Sequence, residues 1–275
     1  MTRAVAAVPE TEGTFRLGRG SGLALGVTVT WFSLLALIPL IAVVVTASDG
    51  GWSQFWRSIS NEQTAAAIRL TVGSAALVTV VNVVMGTLIA WVLVRDQFPG
   101  KQVLEVLIDV PFALPTIVAG LVLLSLYGPR SPIGVNIANQ RPAVVLAFLF
   151  VTLPFVVRAV QPVLEQLDPE VEQAAASLGA SGFTTFRRIT LPALTPAIAA
   201  GAALSFARAV SEYGSLVLLS GNRPLHTEVT SVRILASIEN DNRIGAAAVA
   251  SVLLLIALVV IVLIDVLQRR VARRG

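Results

Sequence analysis

Residues 164–192 read LEQLDPEVEQAAASLGASGFTTFRRITLP, a polar, punctuated stretch between two long apolar runs. The punctuation is that of short helices, not of a random connector. Asp168 is placed to cap a helix N-terminus, and Pro169 suits the first helical position, where no amide donor is needed. Glu170 and Glu172 then fall in the first turn, where the helix dipole favours anions. Ala174, Ala175, Ala176 and Ser177 give a small-residue face that another backbone or a groove can approach closely. Gly179 suits the C-terminal cap, Gly182 permits a second turn, and Pro192 opens the next apolar run. The spacing leaves two readings open: a docking helix held just outside a bilayer, or a plain helical connector.

Outward from this loop the chain is strongly apolar. It is 55% hydrophobic and 13% charged, with mean hydropathy +0.81, whereas a soluble domain is about 25% charged. This composition reads as an all-α membrane protein. Six stretches carry the roughly 20 apolar residues that cross a ~30 Å hydrocarbon core: Gly22–Ala47, Arg69–Val94, Asp109–Tyr127, Ala143–Val163, Ala193–Leu219 and Gly245–Leu267. The first is too long for a signal-peptide core and reads as a retained span. The resulting organisation is a cytoplasmic tail (1–21), a first transmembrane helix (22–47), a block of five further spans (65–268) containing the loop 164–192, and a basic tail (269–275).

With six spans both termini share one side. That side carries eleven Arg and Lys, the other seven, with Arg158 and Arg208 inside spans. The bias and the terminal QRRVARRG place both termini in the cytoplasm. The charges are dispersed and four Arg crowd the last seven residues, so the excess suits a membrane surface and not nucleic acid. Cysteine is absent, which removes disulfides, thiolate metal sites and a Cys nucleophile. His226 lacks neighbours of ligand type, so no metal site is expected.

Charges and prolines inside spans are the candidate functional features. Arg208 and Glu212 are four apart, so on a continuous helix they share a face with Ser205, Ser211 and Ser215. Intramembrane charges face a bundle interior or a water cavity. The stripe is therefore either a structural ion pair or the lining of a pathway, with Arg208 offering a positive field and Glu212 offsetting it. Arg158 is the other candidate cation. Pro111 and Pro115, in VPFALPTIVAG, each remove a backbone donor; they are either tolerated kinks or the breaks of pathway-lining helices. In the loop after span five, Val229, Val232, Leu235 and Ile238 recur every three residues and predict one short amphipathic helix.

The stretch QAAASLGASGFTTFRRITLP, Gln173–Pro192, resembles the E-A-A-x3-G-x9-I-x-L-P loop of ABC-importer permeases. Ala174 and Ala175 match the two alanines, and Gly179, Ile189, Leu191 and Pro192 fall on the remaining motif positions. Gln173 stands where the family has Glu, with Glu172 one residue earlier. Asp109–Gly128, Thr152–Ser181 and Ser205–Ile234 are similar to one branch, the T-type subunit of the sulfate/thiosulfate permeases. Molybdate permeases share much of the pattern.

The resemblance implies a type I importer permease in the inner membrane that forms half of a translocation pore. It implies a heterodimer with a second homologous permease, two copies of an ABC ATPase docked on the loop, and an extracytoplasmic sulfate-binding protein. A P-loop needs G-x-x-x-x-G-K-[ST]. The only lysine, Lys101, lies in Pro99-Gly100-Lys101-Gln102, so ATP and magnesium belong on the partner and this chain needs no cofactor. A molybdate/tungstate permease is the alternative within the family. A proton-coupled secondary transporter or a membrane scaffold is the alternative outside it.

Overall fold

The computed structural model describes residues 19–272. Most of the N-terminal tail, with Arg3 and Arg16, and the last residues, with Arg273 and Arg274, lie outside the described residues. The chain divides into two compact units, residues 1–45 and 46–275.

In the first unit, α1 (Arg19–Phe32) passes through a π-helical turn at Ser33–Leu37 into α2 (Ile38–Ser48), whose last residues belong to the second unit. The π turn lies just before Pro39. That ring has no N–H and crowds the carbonyl four residues back, at Leu35.

The second unit begins with α3 (Gly51–Ser60), which has an aromatic and a polar side. Trp52 stacks on Phe55 and Trp56, with centroids 5.6 and 6.2 Å apart. Both tryptophans are exposed, as aromatic residues at a membrane–water interface are. Helix α4 (Glu62–Arg95) starts a full turn and more before the expected Arg69, because Asn61 caps it: Oδ1 accepts from the backbone N–H of Gln63 and Thr64. Its length is about 50 Å at 1.5 Å per residue, so it outreaches the hydrocarbon core at its ends.

The third expected span, Asp109–Tyr127, is not one straight crossing. Helices α5 (Lys101–Ala113) and α6 (Thr116–Tyr127) meet at 117°. The cause is Pro115. It drives Leu114 into an extended conformation (φ −85, ψ 134) and sits as the cap residue of α6. Pro111, by contrast, is absorbed inside α5. Five helices among the described residues are long and apolar enough to span, and the bent pair makes a sixth if taken as one span.

Helix α7 (Arg141–Gln166) continues through Pro154 and Pro162 and is the centre of the unit, packed on α4 and α10. Next come α8 (Pro169–Ser177), α9 (Gly182–Thr185), a π turn at Phe186–Thr190 and α10 (Leu191–Val210). The fifth expected span, Ala193–Leu219, also divides: α10 ends at Val210 and a separate short α11 runs Gly214–Leu219. Then α12 (Thr230–Glu239), in the loop where one short helix was expected, leads to α13 (Arg243–Ala272).

Small buried residues let the helices approach: Ala75, Ala143, Ala147 and Ala209 have no exposed surface. Phe148 and Phe206 fill one end of the core, and Leu93, Leu164 and Leu194 the other. Between them lies a polar link. The Asn82 amide donates to Thr152 Oγ1 (2.7 Å) and Ser205 Oγ (3.2 Å), joining α4, α7 and α10. Asn82→Ala is expected to cost about 1 kcal/mol and lower the apparent Tm by about 2–4 °C. Thermal unfolding of the purified protein in detergent measures this.

Candidate functional site

The loop after α7 is built from local chemistry. Asp168 accepts from the Glu170 N–H at 2.9 Å, and Pro169 occupies the first helical position. At the other end Gly179 takes φ +84, which L side chains rarely adopt. Its N–H bonds the Ala176 carbonyl, and the Ala180 N–H bonds Ala175. This is a Schellman closure, which needs a left-handed residue at that point.

Glu172 holds α8 to the rest of the unit. Its Oε1 accepts from Arg95 Nη2 at 2.8 Å and from Thr190 Oγ1 at 3.1 Å. One carboxylate thus joins α8, the end of α4 and the base of α10. Arg95 also lies over the Trp91 ring at 5.7 Å, and Trp91 meets Phe186 edge-on at 5.5 Å. Gln173, in contrast, is exposed, as are Ala174, Gly179 and Pro192. Ala175, Ile189 and Leu191 are half-buried. Leu178 and Phe183 present apolar surface outward, 89% and 71% exposed. The loop is therefore a short helix tied to two spans on one side and open on the other.

The Arg95–Glu172 tie was not foreseen; the only signal was that Arg95 closes a helix on the loop's side of the membrane. The pair is about a quarter exposed and is worth about 1 kcal/mol. Arg95→Ala is expected to raise amide hydrogen exchange across residues 169–182 several-fold while leaving α7 protected. Equal protection in the two proteins would mean that the tie does not hold α8.

The polar stripe expected on span five does not form as one face. After Val210 the backbone leaves the helix, and Tyr213 takes φ −132, ψ −52. Two side chains divert the backbone bonds. Ser211 Oγ donates to the Arg208 carbonyl, and Glu212 Oε1 accepts the Ser215 N–H (2.9 Å) and Oγ (2.8 Å). Glu212 thereby serves as a cap for α11. Its other oxygen lies 2.8 Å from Arg208 Nη2, a charge contact whose angle falls outside hydrogen-bond geometry. The Glu212 side chain is fully buried and that of Arg208 is 29% exposed. Ser205 and Ser215 are buried, Ser205 against Asn82, while Ser211 is exposed.

The break is held against the bent pair. A Cβ at Gly214 would overlap Thr116 Oγ1, and one at Gly120 would lie 2.6 Å from the Ser215 carbonyl. Only glycines allow α6 and α11 so close. Ser231 Oγ on α12 donates to the Glu212 carbonyl at 2.7 Å. The two broken spans therefore meet at their breaks.

Arg158 is held elsewhere. It grips Asp109 on α5 with Nε–Oδ1 at 2.8 Å and Nη2–Oδ2 at 2.5 Å, and donates to Gln161 and to the Glu105 carbonyl. Each in-span arginine thus has its own carboxylate. Pro111 lies two residues after Asp109 and is half-buried; Pro115 is exposed at the bend. His226 is exposed, its carbonyl accepting from Arg141. No cluster of metal-ligating side chains occurs among the described residues.

Residues 82–274 match the family model of the binding-protein-dependent transport system inner membrane component. The sulfate transport system permease protein CysT of Salmonella typhimurium strain LT2 is 41% identical over 93% of this chain and 95% of its own. CysT of Escherichia coli strain K12 is also 41% identical, with the same coverage. CysT of Synechococcus elongatus is 42% identical over 88% of this chain and 89% of its own. Among solved structures, a chain of a bacterial alginate ABC transporter, crystallised with an alginate-bound periplasmic protein, superposes with a TM-score of 0.75 at 19% identity. It covers 91% of this chain and 94% of that one, and the likeness concerns the fold alone.

Proposed function

The chain belongs to the binding-protein-dependent transport system inner membrane component family, and on that premise we propose that it is a non-catalytic permease subunit of an ATP-driven sulfate importer. The observation that carries this reading is the identity to sulfate permeases along nearly the whole chain. Sulfate is favoured over molybdate or tungstate because the relatives are sulfate permeases by name. A secondary transporter or a scaffold has no support of this kind.

The partners are a second homologous permease, two copies of an ABC ATPase that hold ATP and magnesium, an extracytoplasmic sulfate-binding protein, and the lipid around the apolar helix faces. Both termini and the loop 164–192 face the cytoplasm. The ATPase docks on the exposed side of α8, where Gln173, Ala174, Leu178 and Gly179 lie. Glu172 carries the displacement into α4 and α10, because it bonds Arg95 and Thr190. Ile189, Leu191 and Pro192 begin the span that moves. The gate has two states, each favoured by different contacts. The break at Ser211–Tyr213 and the bend at Pro115 are its flexible points. Arg208, Glu212 and Ser215 lie at the break beside the pathway, and Arg158 and Pro111 fix the neighbouring helix.

The test is uptake of radiolabelled sulfate in cells whose own sulfate permease is deleted, with the chain supplied together with its partners. Restored uptake that excess molybdate inhibits only weakly is the expected result. Preferential uptake of molybdate would transfer the chain to the other oxyanion.

A further inference from the structure

A polar cavity of about 500 Å³ lies at the end of the second unit opposite α8. Asn61 and Thr64, at the start of α4, line it, while Arg95 at the other end of α4 holds the loop. The remaining walls come from the polar side of α3, from α12 and from the start of α13. Its lining includes Arg57 and Arg233 and no carboxylate. Neither guanidinium has an acidic partner among the described residues. Asp241, next to the cavity residue Asn242, contacts Arg243 instead, at 3.9 Å.

The neutral groups lining it are arranged as donors. Asn61 Oδ1 is occupied by two backbone N–H groups and Asn242 Oδ1 by the Gly245 N–H. These bonds fix the amide orientation and leave both NH₂ groups without an acceptor among the described residues. Gln54 adds a third side-chain amide to the lining. Arg233 Nε is buried with no acceptor, a costly state for a charged donor. Two guanidiniums and two oriented amides, with no acid, ask for a multiply charged acceptor. Arg forks match the oxygens of phosphate or sulfate groups.

We propose that this cavity binds a tetrahedral oxyanion group, either the phosphate of an anionic lipid headgroup or a free phosphate or sulfate ion. Trp52 and Trp56 on the other side of α3 place the cavity at interface depth, within reach of headgroups. The proposal does not depend on which solute the permease carries, and its assay involves no transport.

The test uses the full chain assembled with its partner permease and the ATPase, without the binding protein, in nanodiscs. One arm measures binding of radiolabelled phosphate and sulfate in phosphatidylcholine discs. The other measures retention of phosphatidylglycerol by native mass spectrometry. Wild type is expected to bind in at least one arm, and the arm identifies the source. Arg57→Gln and Arg233→Gln should each weaken that binding by at least about tenfold, while Arg130→Gln, outside the cavity, should not. Arg57 is exposed and has no ion-pair partner among the described residues, so Arg57→Gln retains the fold even if Arg233→Gln does not. Absence of binding in both arms, or equal binding by wild type and Arg57→Gln, would overturn the proposal.

Discussion

Arg208→Ala should cost about 3 kcal/mol and lower the apparent Tm by about 6–12 °C. The reason is the asymmetry of the pair. Glu212 is fully buried and Arg208 is 29% exposed, so losing the arginine strands a carboxylate that water does not reach. Glu212 cannot turn away, because its other oxygen holds the Ser215 N–H and hydroxyl. Glu212→Gln keeps an acceptor for Ser215 and should cost less. The double variant, Arg208→Ala with Glu212→Gln, should regain most of the stability. Its transport separates the two roles. Recovered uptake would show an ion pair that only holds the break. Uptake still lost in an assembled complex would place the Arg208 charge on the anion's route.

Gly179→Trp should leave the chain inserted and abolish coupling. A side chain at φ +84 is strained by about 1–2 kcal/mol, and the Schellman closure loosens with it. No atom lies within 4 Å of the added Cβ, so the indole projects outward onto the proposed docking side instead of into the fold. Uptake is expected to fall by about tenfold or more, the equivalent of about 1.4 kcal/mol in docking. Gly179→Ala carries the strain without the bulk and should lose much less. Full co-purification of the ATPase and normal uptake in Gly179→Trp would sink the docking role of α8.

The loop was legible because its chemistry is local. A capping Asp, a following Pro and a left-handed Gly act within a few residues of one another, and the helix Pro169–Ser177 obeys them. The spans were legible as apolar runs, and the prolines as points of trouble. What α5 and α6 do at Pro115 was not: a proline marks a break in a helix, but its residue type does not say how far the two halves turn, here 117°. The break at Ser211–Tyr213 was hidden in an apolar run that reads as continuous helix. Its determinants are one buried carboxylate turning to the Ser215 N–H and two glycines admitting α6. The ties between distant residues were invisible as well. Arg95 with Glu172, Arg158 with Asp109 and Asn82 with Ser205 are far apart in the chain and meet only through packing.

We propose that ATP on a partner drives an anion through this subunit. This is tested most directly in proteoliposomes holding the chain, its partner permease and the ATPase, with the binding protein outside. Sulfate accumulation should require internal ATP, the ATPase and the binding protein together, and should ignore an imposed proton gradient. Accumulation driven by that gradient, without ATPase or ATP, would contradict the account.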